Sequence, residues 1–234
     1  MASVLRFLLA VACLPLCAAL PRVLWLIVFS ATGVFADTGI PAGGYWMLGG
    51  FLSFFAVSLC LPAPVRVYVL GHELTHAVWA LLFGARVSGL KVGLRGGEVT
   101  VSKSNVWITL APYFFPFYTF IVLLISVFVR MLVKPFPCPN AWLFAIGFTW
   151  CFHAIFTVRA LAQEQPDVEE YGRLFSWSFI WIANLAGLFL GLIAVTPLTF
   201  RQAGRLAWVT ASSYYAAIGH WMTTLVEIVR QALV

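Results

Sequence analysis

The fold and the candidate site can both be read from residues 65–83, VRVYVLGHELTHAVWALLF, an apolar segment that contains His72, Glu73 and His76. On an α-helix, side chains four positions apart lie about 40° from each other on one face, so both imidazoles can bind one zinc ion. The Glu73 carboxylate, next to the first histidine, can then act as the general base that activates a water molecule. The H-E-x-x-H pattern therefore predicts a metal helix over about residues 65–84, with zinc on one of its faces.

The composition of the chain is that of a membrane protein. Hydrophobic residues make up 62% of the 234 residues and charged residues only 9%, against about 45–50% and about 25% in soluble domains. The net charge of +6 comes from Lys and Arg residues that mostly lie between apolar runs, where they would meet lipid headgroups of a bilayer. Nucleic acid is not indicated as a partner, and the five cysteines show no C-x-x-C spacing that would suggest a metal knuckle.

Apolar segments long enough to cross a bilayer recur along the chain, which predicts an all-α polytopic membrane protein with five to six transmembrane helices. They cover about residues 7–35, 45–61, 65–83, 106–133, 141–161 and 174–198, and a last helix over 206–234 either spans or lies at the interface. The first run resembles a signal peptide, but it continues past Pro21, so we expect a retained helix, with cleavage as the alternative. We expect these segments to form a single integral membrane domain over residues 1–234.

Residues 86–102 depart from the helical pattern. Polar and apolar residues alternate over 87–94, Gly96-Gly97 marks a turn, and a second alternating run covers 98–101. This pattern predicts a short β-hairpin after the metal helix. The hairpin is either a solvated connector, a lip over the site, or an edge to which an extended substrate adds a strand.

Two prolines, Pro112 and Pro116, interrupt the apolar segment at 106–133. A proline lacks the N–H that would bond to the carbonyl four residues earlier, so it breaks or kinks a helix. Inside a bilayer the freed carbonyls need a neighbour or a cavity to satisfy them. We expect this segment to pack against the metal helix.

A catalytic zinc site has three protein ligands and keeps a fourth position for water, so one ligand must come from outside the metal helix. The chain has two aspartates, Asp37 in a turn-rich segment and Asp167 after Pro166. We favour Asp167, within a third-ligand region at about residues 163–184. The alternatives are Glu164, Glu169, Glu170 and His153.

Two further interpretations concern polar residues in apolar surroundings. A charged and unpaired Glu73 inside an apolar helix would cost about 2.5 kcal/mol or more, so either chemistry or a buried hydrogen-bonded cluster without metal must explain it. Asn184 lies in the apolar run 179–190, and we assign it a substrate-binding role through hydrogen bonds to the substrate backbone.

The chain resembles the site-2 protease group, the M50 family of intramembrane zinc metallopeptidases, and in particular its small bacterial M50B-like members. The resemblance covers about residues 65–184 and rests on Gly71-His72-Glu73-Leu74-Thr75-His76-Ala77, the hairpin and Pro-rich helix that follow, and the Pro166-Asp167 pair. It implies that zinc is bound by His72, His76 and Asp167 and that Glu73 is the catalytic base. The family aspartate is followed by glycine, whereas Val168 follows Asp167.

The resemblance also implies a peptidase of the bacterial inner membrane that hydrolyses peptide bonds of membrane-associated proteins or peptides. One alternative is a membrane metalloprotease of the Ste24/HtpX type, which uses a glutamate as third ligand. Another is a non-catalytic membrane scaffold that keeps the H-E-x-x-H pattern. The physiological substrate, the membrane orientation and the oligomeric state are left open by the sequence.

Overall fold

The computed structural model of the chain describes residues 2–29, 42–93, 96–195 and 198–232. Within these residues it contains nine helices and one two-stranded antiparallel sheet. In chain order they are α1 (Ala2–Phe29), α2 (Ala42–Cys60), α3 (Val65–Leu82), β1 (Val87–Val92), β2 (Gly97–Val101), α4 (Val106–Phe114), α5 (Phe117–Leu132), α6 (Pro139–Leu161), α7 (Pro166–Glu170), α8 (Arg173–Val195) and α9 (Phe200–Ala232). The prediction of a mostly helical chain with a hairpin after the helix that carries the H-E-x-x-H pattern is confirmed.

Four helices are long and apolar enough to cross a membrane, namely α1, α2, α6 and α8. The count rises to five if α4 and α5, which meet at a bend of 78°, form one broken span. The sequence-based count of five to six also included α3, which is not among them, because Arg66, Glu73 and two histidines lower its hydropathy. The last helix, α9, is not among them either, since arginines and Glu227 interrupt its apolar residues.

The chain divides into two compact units, one formed by Met1–Gly39 with Gly172–Val234 and the other by Ile40–Tyr171. The first unit contains α1, α8 and α9, and the second contains α2 to α7 with the hairpin. The prediction of a single integral membrane domain over residues 1–234 stays a prediction.

In the first unit, α1 packs against α8 and α9 and continues through Pro21 in its interior. Pro21 has no N–H to donate to the carbonyl oxygen of Cys17, four residues earlier. The indole Nε1 of Trp181 on α8 donates to that oxygen instead, at 2.9 Å. A side chain of a neighbouring helix thus replaces the hydrogen bond that the proline removes.

In the second unit, α2 and α6 form the most extensive helix pair. A Cβ at Gly50 would overlap the carbonyl oxygen of Phe144, and a Cβ at Gly147 would overlap that of Met47. The two backbones can approach this closely only because both positions lack a side chain, as is common between helices in membranes. Phe54, Cys151 and neighbouring aromatic rings complete the core between the two helices.

The remaining elements of this unit surround α3. The hairpin pairs Leu90 with Val99 and Lys91 with Glu98, and both of its strands pack against α3. The 106–133 segment is broken into α4 and α5 at Pro116, as predicted, whereas Pro112 lies inside α4; α4 packs against α3. This packing brings α4 and β2 to the face of α3 that carries the predicted metal ligands.

Candidate metal centre

Three side chains converge beside α3. The Nε2 atoms of His72 and His76 lie 3.3 Å apart, and each lies 3.4 Å from Oδ2 of Asp167. Among the described residues, these three form a cluster whose ligand atoms lie close enough together to hold a metal ion. The structure therefore brings together the three residues that the sequence analysis favours as ligands.

The two histidines are oriented by hydrogen bonds at their other ring nitrogens. His76 Nδ1 lies 2.9 Å from the carbonyl oxygen of Ile108, which can only accept, so this nitrogen carries the proton. His72 Nδ1 lies 3.3 Å from the hydroxyl of Tyr68, one helical turn earlier on α3. With Nδ1 engaged in this way, each ring presents Nε2 to the centre, which is the arrangement typical of metal-binding histidines.

Asp167 lies in the first turn of α7, a helix of five residues that starts at Pro166. Its Oδ2 atom, which faces both histidines, also accepts a hydrogen bond of 3.1 Å from the hydroxyl of Tyr113 on α4. Burial alone would raise the pKa of the Asp167 carboxyl, but the imidazoles of His72 and His76 beside it outweigh burial and hold the pKa well below its usual range. The carboxylate is therefore charged and available as a ligand.

Glu73 is only 7% exposed and faces strand β2. A Cβ at Gly97, the first residue of that strand, would lie 2.5 Å from Cγ and 2.7 Å from Oε1 of Glu73. The hairpin therefore lies over the carboxylate next to the histidines. Of the three roles considered for the hairpin, this placement is that of a lip over the site.

A cavity of about 750 Å³ opens onto the centre. His72, Glu73, His76 and Asp167 line it on one side, and residues of β2, α4, α6 and the α6–α7 connection line the rest. Its wall carries polar groups from Ser104, Thr109, Arg159, Gln163, Gln165 and Glu170, between apolar patches from Val69, Val99 and Phe156. The cavity thus combines polar and apolar groups around the three converging side chains.

The alternative third ligands lie outside the cluster. Glu164, Glu169 and Glu170 are exposed, and Oε2 of Glu170 accepts a long hydrogen bond of 3.4 Å from Thr109. His153 lines a separate small cavity behind His72. Asp37 lies outside the described residues.

The predicted substrate-binding residue, Asn184, lies on α8 in the first unit. Its amide Nδ2 donates to the carbonyl oxygen of Ile180 in the preceding turn, at 2.9 Å. The substrate-binding role assigned to it stays a prediction.

Several residues of the centre are absent from the sequence-based list. Tyr68 could have been found, because it lies four positions before His72 on the same helical face. Gly97 was taken only as a turn residue, and Tyr113 only as part of a proline-broken segment. Their contacts with Glu73 and Asp167 depend on tertiary packing between elements, which leaves no local pattern.

No protein-family model, curated protein or solved structure matches the chain. A function for the chain must therefore be argued from the geometry of this centre and from the chemistry of its residues.

Proposed function

We propose that the chain is an intramembrane zinc metalloendopeptidase of the M50, site-2 protease type, which hydrolyses peptide bonds of membrane-associated proteins. The observation that carries this proposal is the convergence of His72, His76 and Asp167 next to the buried carboxylate of Glu73. Two imidazoles, one carboxylate and an adjacent glutamate are the side chains that a hydrolytic zinc centre needs.

The separations of the three donor atoms support zinc. In a tetrahedral site with ligand distances of about 2.0–2.1 Å, two ligand atoms lie about 3.3–3.4 Å apart. The triangle of His72 Nε2, His76 Nε2 and Asp167 Oδ2 has sides of 3.3, 3.4 and 3.4 Å. Three protein ligands leave the fourth position for water or substrate, as in catalytic rather than structural zinc sites.

The apolar surface supports a place in a lipid bilayer, and by resemblance in the bacterial inner membrane. Large apolar side chains on the candidate spans are widely exposed, among them Leu59, Phe128 and Leu132. A monomeric soluble protein rarely exposes continuous apolar surface of this kind. In the proposed topology α1, α2, α6, α8 and the bent pair α4–α5 span the membrane, and α3 packs against the bent pair.

The proposed reaction is the addition of water to a peptide carbonyl, followed by cleavage of the C–N bond. When bound, zinc supplies a Lewis acid that lowers the pKa of water and polarises the carbonyl. Glu73 takes the proton of the attacking water and then delivers it to the leaving amine. The cavity receives the substrate as extended chain, because a helical segment keeps its carbonyls in internal hydrogen bonds.

The two alternative functions, a Ste24/HtpX-type enzyme and a non-catalytic scaffold, require different side chains at the centre. A Ste24/HtpX-type enzyme needs a glutamate as third ligand, whereas Glu164, Glu169 and Glu170 lie outside the cluster formed by the histidines and Asp167. A non-catalytic scaffold needs no general base beside the ligands. The buried position of Glu73 under the hairpin favours the enzyme.

The test uses the full chain purified in detergent, with zinc measured by elemental analysis and cleavage measured with fluorescein-labelled casein. We expect stoichiometric zinc and cleavage in the parent, and zinc without cleavage in Glu73→Gln. The matched control is Glu98→Gln, since Glu98 lines the same cavity but is exposed and paired with Lys91. A parent that binds no metal, or a Glu73→Gln variant that cleaves as fast as the parent, contradicts the proposal.

A further inference from the structure

Two of the three ligands of the proposed centre are held by one short helix, α4. Its first turn provides the carbonyl oxygen of Ile108 for His76 Nδ1, and its last turn provides the hydroxyl of Tyr113 for Asp167 Oδ2. We infer that Pro112 and Tyr113 are positioning residues that set the two ligands from α3 and α7 for metal binding. This inference rests on the metal centre of the proposed function.

Pro112 determines which donor the Ile108 carbonyl can accept from. In a continuous helix this oxygen would accept from the N–H of residue 112, four positions later. Pro112 has no N–H, and His76 Nδ1 lies 2.9 Å from the oxygen instead. The proline thus frees an acceptor that fixes the His76 tautomer and directs its Nε2 to the centre.

The first turn of α4 is itself held in place. The side chain of Asn105, the N-cap residue, accepts a hydrogen bond of 2.9 Å from the Ile108 N–H. Ile108 is therefore tied by its N–H to the cap and by its carbonyl to His76, and its side chain is buried. This arrangement makes the carbonyl a rigid partner for the imidazole.

Tyr113 connects α4 to the other two ligands. Its side chain is completely buried. Its ring packs edge-to-face on the His72 ring, with the ring centroids 5.3 Å apart. Its hydroxyl lies 3.1 Å from Asp167 Oδ2 and 3.5 Å from Gln165 Oε1, so Asp167 is the closer acceptor. Asp167 needs this contact because α7 has only five residues, so its own backbone restrains the carboxylate weakly. A hydrogen bond to Oδ2 holds that oxygen towards the histidines.

The chain offers a matched control for the Tyr113 hydroxyl. Tyr118 on α5 donates to the carbonyl oxygen of Val67 at 2.6 Å and makes no hydrogen bond to a ligand among the described contacts. Tyr113→Phe and Tyr118→Phe each remove one phenolic oxygen and preserve the ring. Only the first should change the metal centre.

The experiment measures the zinc dissociation constant of the detergent-purified full chain by competition with a chromophoric chelator. We expect Tyr113→Phe to weaken zinc binding about 10- to 100-fold, the range found for partners of metal ligands, and Tyr118→Phe to stay within about threefold of the parent. In an Asp167→Ala background Tyr113→Phe should have no further effect, because its hydrogen bond is already lost. Equal zinc affinities of Tyr113→Phe and the parent would overturn the inference, as would an undiminished effect in the Asp167→Ala background.

A second arm tests Pro112. Pro112→Ala restores an N–H that competes with His76 for the Ile108 carbonyl, so we expect weaker zinc binding than in Pro116→Ala, whose restored N–H faces no ligand partner. The thermal unfolding midpoints of the metal-free variants report whether either proline variant is misfolded. If one is misfolded, the zinc affinity of Tyr113→Phe, which preserves the shape of the ring, decides the inference. Zinc binding by the parent without casein cleavage would remove the proposed peptidase and leave the positioning roles intact, so the two failures are distinguishable.

Discussion

The backbone of Gly97 lies directly against the side chain of Glu73. A Cβ at position 97 would approach Glu73 Cγ to 2.5 Å and Val69 Cγ1 to 2.7 Å, which is closer than carbon atoms can pack. The first residue of β2 thus limits the space in which the proposed base can move. The hairpin and the Glu73 side chain are therefore tightly packed against each other.

This contact predicts that Gly97→Ala displaces the Glu73 carboxylate and lowers kcat for casein cleavage by about 100-fold, the effect of a misplacement of about 1 Å. Zinc content should not change, because the atoms nearest a Cβ at position 97 belong to Glu73 and Val69, which are not proposed ligands. The control is Gly89→Ala on β1, where a Cβ would meet Thr100 at an ordinary 3.4 Å. Equal kcat values for the two variants would show that Gly97 does not hold the base.

Asp167 should be required for metal binding, and the neighbouring glutamates should not. We expect Asp167→Ala to weaken zinc binding by more than about 100-fold, since removing a ligand costs more than removing its hydrogen-bond partner. Glu164→Ala and Glu170→Ala should bind zinc as the parent does. Loss of zinc in Glu164→Ala with retention in Asp167→Ala would instead favour the Ste24/HtpX type of site.

Removal of the metal should abolish cleavage reversibly. We expect 1,10-phenanthroline to stop casein cleavage and added zinc to restore it. Magnesium should not restore it, because that ion prefers oxygen ligands, whereas two of the three donors are imidazole nitrogens. Cleavage that persists in the fully chelated protein would exclude a metal-dependent reaction.

The close packing of α2 on α6 should make Gly147 important for stability. Gly147→Ala would place a methyl group on the Met47 backbone, and overpacking of this kind costs about 1–3 kcal/mol. Gly187→Ala on α8 is the control, because a Cβ there meets nothing within 4 Å and alanine favours helix. Thermal unfolding in detergent should show a lower midpoint for Gly147→Ala and an unchanged or higher one for Gly187→Ala.

Local patterns were sufficient for the elements that carry the site. The four-residue spacing of His72 and His76 places both rings on one helical face, and alternation with a Gly-Gly turn predicts the hairpin; both follow from backbone periodicity alone. The prolines at 112 and 116 predicted a broken helix packed on α3. The structure has this break, and His76 Nδ1 contacts one of the freed carbonyls.

The sequence analysis favoured Asp167 among the acidic residues at 164–170, but it left Glu164, Glu169 and Glu170 open as alternatives. All of them are carboxylates close to one helix start, and what distinguishes Asp167 is tertiary: its Oδ2 lies 3.4 Å from both histidine Nε2 atoms and accepts from Tyr113. The predicted count of five to six spans is met only at five, when the bent pair α4–α5 counts as one span, because the polar residues of α3 reduce its hydropathy. The polar side chains that form the candidate site on α3 are the same ones that lower the mean hydropathy of that helix.

The three proposed ligands come from distant parts of the chain, two from α3 and one from α7. During synthesis, a nascent polypeptide that contains α3 but not yet α7 lacks the carboxylate of Asp167, which is also the hydrogen-bond acceptor of Tyr113. Such an intermediate has no complete centre, so under the proposed function it would not hydrolyse neighbouring proteins. The proposed activity would begin only when the greater part of the polypeptide has been synthesised.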